Sequence, residues 1–156
     1  MEGSFWKAIL KAGFWAGSID LVVAHLHQFI KTGHFPEKLL HYIAGGALGL
    51  ENGMAGGIGS QLLGILIHYF IAFSFAILFF MIAPKLFALK INKYLLGIIY
   101  GIMVGAVMTF LILPFTQLPQ TPFIFSKSIV NWLILAFAFG LPLSILAYKY
   151  FNSNNP

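Results

Sequence analysis

Four long stretches of this chain are apolar enough to cross a lipid bilayer, and that limits its fold more than any motif does. They cover about 6–30, 60–83, 95–113 and 128–150, and roughly twenty apolar residues traverse the hydrocarbon core. Backbone polar groups at that depth must bond internally. The expected fold is therefore an all-α integral membrane four-helix bundle, a single membrane domain over 1–156. Only 8% of residues are charged, against about 25% in a soluble domain, so this inventory cannot build a water-exposed surface. Lys7, Lys11 and Lys31 bracket the first stretch, Pro84-Lys85 closes the second, Pro114 ends the third, and Pro142 should bend the fourth. The first stretch is too long, and too interrupted by Asp20, for a cleaved signal peptide.

The connection over 32–59 is more than a turn. Phe35-Pro36-Glu37-Lys38 reads as a helix start with proline in the first turn. Leu39–Leu50 is apolar but too short to span, and Glu51–Gly57 is a glycine-rich break. A short interfacial or re-entrant helix between spans one and two is the expectation. Lysines set the orientation: Lys7, Lys11, Lys85, Lys90, Lys93 and Lys149 fall on one side, Lys31, Lys38 and Lys127 on the other. The excess places both termini in the cytoplasm. Trp6, Tyr94, Tyr148 and Tyr150 would then form an inner aromatic belt.

Small residues repeat every four positions where helices should meet: Gly13 and Gly17 on span one, Gly97, Gly101, Gly105 and Thr109 on span three, Ala136, Gly140 and Ser144 on span four. Such stripes let backbones approach closely in a membrane. Asp20 is the one acidic residue inside an apolar segment, and a charge there costs about 2.5–3.5 kcal/mol on insertion scales. At about 100° per residue, Gly13, Ala16, Gly17, Ala24 and His27 share its face. On span two, Gln61, Gly64, His68 and Ala72 form a matching stripe. Counted from their span ends, Asp20 and His68 lie at depths agreeing within about 3 Å. They are expected to form a polar intramembrane pair within hydrogen-bond reach, directly or through one water, with His27, Gln61, Thr109 and Asn131 in support.

Chemistry beyond that pair is not expected. His25 and His27 point to nearly opposite sides of a helix, so His25-Leu26-His27 is not read as a metal site. The absence of cysteine removes disulfides, thiolate ligands and cysteine nucleophiles. Ser74 points away from His68, and there is no paired carboxylate, glycine-bracketed nucleophile or phosphate loop. The chain is therefore read as a non-enzyme with no cofactor. Its formal charge of +5 comes from scattered lysines, without the clustered basic face that nucleic acid requires.

The segment His68-Tyr69-Phe70-Ile71-Ala72-Phe73-Ser74-Phe75-Ala76, with Pro84-Lys85, Leu96-Gly97-Ile98-Ile99-Tyr100-Gly101, Leu113-Pro114 and Gln120-Thr121-Pro122, resembles the YagU-like family of small bacterial inner-membrane proteins. The resemblance covers about 68–125 and implies a four-helix bacterial inner-membrane protein. The family's biochemical role is ill-defined, and the resemblance carries no catalytic residue; His68 is its one polar position inside a span. Two readings of function follow. One is an oligomeric proton- or cation-linked conduit built on Asp20 and His68. The other is a non-catalytic accessory or scaffold subunit of a larger membrane complex. Both have the lipid bilayer as a partner.

Overall fold

The computed structural model describes residues 2–120 and 122–154; Thr121, one of the positions carrying the resemblance, lies outside them. The described residues contain seven α-helices and no strand: α1 (Glu2–Thr32), α2 (Leu39–Leu48), α3 (Leu50–Ala55), α4 (Gly57–Ala88), α5 (Lys93–Val107), α6 (Phe125–Leu135) and α7 (Leu141–Asn154). A π turn (Met108–Ile112) and a 3-10 turn (Leu113–Phe115) extend α5, and a π turn (Ala136–Gly140) joins α6 to α7. Four helical segments are thus long and apolar enough to cross a membrane.

Local chemistry sets the ends. Gly33, at φ 72°, closes α1 by donating its N–H to the Phe29 carbonyl at 2.8 Å, a left-handed cap that favours glycine. Asn92 caps α5, its side chain accepting the Tyr94 N–H at 2.8 Å. The expected connecting helix is two helices, because Gly49 at φ 83° breaks the apolar run between α2 and α3. Proline acts differently at its three positions within the long apolar segments. Pro84 does not close the second span; α4 runs through it to Ala88. Pro114 and Pro142 each follow a π turn by two residues, where Leu113 N–H reaches back to the Met108 carbonyl and Leu141 N–H to the Ala136 carbonyl. A proline lacks an N–H and its ring collides with the carbonyl one turn back, which favours a widened turn ahead of it.

The glycine stripes lie where the helices touch. A Cβ on Gly13 would stand 2.6 Å from the Phe73 ring, and one on Gly17 3.0 Å from Ala72 Cβ, so α1 lies tight on α4. Across the other pair, an added Cβ would stand 2.8 Å from the Gly140 carbonyl at Gly97, 2.6 Å from the Leu135 carbonyl at Gly101, and 2.6 Å from the Trp132 ring at Gly105. Hydrogen bonds add to this packing: Ser144 Oγ donates to the Lys93 carbonyl across the α5–α7 seam (2.8 Å), and Tyr100 OH donates to the Phe75 carbonyl, tying α5 to α4 (2.6 Å). Lipid tails are as apolar as the side chains, so such packing and bonding hold helices together in a bilayer.

The two ends of the bundle differ. At the end with both termini, Phe5 contacts Phe80, Tyr150 and Phe151, above a buried core containing Ile9, Phe79, Phe80 and Leu143. At the other end α2 lies against α4, and the 116–118 segment is fastened to it: Gln117 donates its backbone N–H to the Gly46 carbonyl and its side-chain amide to the Ala47 carbonyl, at 2.9 and 2.6 Å. Between that cap and the core the helices part.

Candidate functional site

A cavity of about 420 Å³ occupies this gap. Asp20, His27, Gln28 and Lys31 from α1, His68 from α4 and Asn131 from α6 supply its polar wall. Leu39 and Ile43 of α2 roof it, and Phe75, Val104, Met108, Leu135 and Phe139 line its apolar part. Met108 and Phe139 belong to the two π turns, so the widened turns help shape the cavity.

Gly17 fixes the position of His68. Without a side chain at 17, α4 approaches closely enough for His68 Nε2 to donate to the Gly17 carbonyl at 2.9 Å. Asp20 lies three residues on, within electrostatic range of that imidazole, but the two side chains share the cavity without a direct hydrogen bond or ion pair. Asp20 makes no hydrogen bond to any described residue. No described buried side-chain nitrogen or oxygen lacks a partner, so the Asp20 oxygens are open to the cavity rather than sealed in the wall.

The supporting residues divide. His27 and Asn131 reach the cavity; Gln61 and Thr109 do not. Gln61 lies on the His68 face but further toward the α2 end of α4, where α2 covers it. There it donates its side-chain N–H to His41 Nε2 at 3.2 Å, while His41 Nδ1 donates to the Gly53 carbonyl at 3.0 Å. Thr109 donates to the Gly105 carbonyl of its own helix (2.8 Å) and accepts the Trp132 indole N–H (3.0 Å). Both are interhelical fasteners. His25 turns away, its Nδ1 donating to the Leu21 carbonyl at 2.8 Å. No group of three His, Asp or Glu suited to a metal ion occurs among the described residues.

Sequence reasoning missed Gln28 and Lys31. Lys31 is eleven residues past Asp20, which returns it to within about 20° of the same face; reading it only as the end of the span hid that phase. A second cavity of about 550 Å³ lies beside the first, between α1, the 34–38 segment, Tyr42 and Met54. Gln28 and Leu39 line both. They form the partition between the Asp20 cavity and the connection end of the bundle. No family model, curated protein or solved structure matches the chain, so the functional reading stands on this geometry.

Proposed function

We propose that this is a multi-pass protein of the bacterial inner membrane that acts as a proton- or cation-linked transport element, with Asp20 as the exchanging group and His68 as its electrostatic partner. The observation that carries the reading is a carboxylate without a hydrogen bond to any described residue, open to a cavity between helices long enough to span a bilayer. A purely structural aspartate at that depth should be bonded, because leaving it unpaired in hydrocarbon is costly. The adjoining second cavity supports an access route from the connection end. The lysine excess at the terminus end supports a cytoplasmic location for both termini. One chain walls the cavity, which supports a complete site in each copy, and the exposed apolar faces suit assembly into a homo-oligomer. No catalytic step is assigned.

Reconstitution in proteoliposomes containing a pH-sensitive dye tests this. Wild type should carry an Asp20-dependent proton or cation flux, and Asp20→Asn should lower it about tenfold or more while melting remains close to wild type. The accessory-subunit reading expects no flux from either protein and an effect of Asp20→Asn on stability alone; that result would end the transport proposal.

A further inference from the structure

We propose that the Asp20 cavity binds an organic cation with an apolar body, the cationic centre seated at the Asp20 carboxylate and the body against Phe75, Val104, Leu135 and Phe139. The proposal deepens the transport reading and rests on it only for the idea that the bound species moves.

The order of groups along the cavity carries the inference. At 1.5 Å per residue, Lys31 lies about 16 Å and His27 about 10 Å from Asp20 along α1, toward the connection end. Phe75 lies about 10 Å beyond His68 in the opposite direction. The carboxylate therefore stands between a polar mouth and an apolar floor. Lys31 is exposed at that mouth, too far to neutralise Asp20 by contact. His68 is nearer, but its Nε2–H is committed to the Gly17 carbonyl. A guest touching both the floor and Asp20 must present an apolar surface and a positive charge.

Other ligand classes fit less well. A calcium-type cation takes six to eight oxygen ligands, whereas the side-chain oxygens on this wall come from Asp20, Gln28 and Asn131 alone. An organic anion would bring its charge against the carboxylate. An apolar-bodied cation needs few oxygens, and the Phe75 and Phe139 side chains on the floor offer apolar surface to its body. The volume of about 420 Å³ falls within the range of small-molecule sites, about 300–1,000 Å³ of mainly apolar wall with a few placed polar groups.

The test is equilibrium binding of radiolabelled tetraphenylphosphonium to the detergent-purified full chain, with tetraphenylborate as an anion of the same shape. Wild type should bind the cation at least about tenfold more tightly than the anion, a gap of about 1.4 kcal/mol or more. Asp20→Asn should remove most of that preference, and Ile134→Trp, which fills the cavity from α6, should weaken cation binding with Asp20 intact. Equal binding of the two ions, or unchanged cation binding by either folded variant, would overturn the site. Should Asp20→Asn not fold, the comparison of ions on wild type and the Ile134→Trp result still decide. Asp20-dependent flux without cation binding would sink this proposal and leave transport standing; Asp20-dependent binding without flux would do the reverse.

Discussion

At the scale of single residues, His68 is the side chain whose replacement separates positioning from packing. It reaches across to a carbonyl that a glycine leaves approachable, and a typical hydrogen bond contributes about 0.5–1.5 kcal/mol net. His68→Ala should lower stability in detergent by roughly that amount, read from thermal unfolding, and His68→Gln, which keeps a donor, should recover part of the loss. Identical melting of wild type and His68→Ala would mean the contact contributes nothing. The sequence revealed Asp20, His27, His68 and Asn131 because periodicity and depth suffice to place residues on one face of a straight helix. It did not reveal that Gln61 and Thr109 are diverted, because each finds a partner, His41 or Trp132, through tertiary contact. Nor does phase alone say whether two residues at one depth bond to each other; Asp20 and His68 share a cavity instead.

At the scale of elements, the seam between α5 and the α6–α7 segment should be the least forgiving part of the molecule. Gly101→Ala would place a methyl against backbone, 2.6 Å from the Leu135 carbonyl oxygen, and backbone cannot rotate aside as a side chain can. The expected cost is about 1–3 kcal/mol. Gly59, whose added Cβ would meet nothing within 4 Å, is the control: Gly59→Ala should be neutral, or stabilising by up to about 1 kcal/mol through helix propensity. Equal melting temperatures for the two variants would mean that the seam is looser than drawn. The small-residue spacing made this seam legible in advance. The π turns were not, since a proline states only that a bond is missing, and whether the helix continues, as at Pro84, or widens, as before Pro114 and Pro142, depends on the surrounding packing.

For the whole molecule, the four long apolar helical segments, the common end of the termini and the existence of an extra element before α4 follow from hydropathy and length. The place of that element as the roof of a cavity depends on long-range contacts that no local pattern encodes. The proposed orientation is checked with single cysteines at Ser4, Ser153 and Phe35, all exposed. In intact cells an impermeant maleimide should label the cysteine at 35 and spare those at 4 and 153; the opposite pattern would invert the protein in the membrane. The two bonds from Gln117 to α2 have a mechanical consequence. Because α2 is bonded to the 116–118 segment, it lifts alone only if both bonds are broken. Admitting a guest past Leu39 requires either breaking both bonds or tugging that segment, and the segment pulls in turn on the widened turn that ends at Ile112. Opening the roof therefore carries the 116–118 segment along with α2 unless both bonds break first.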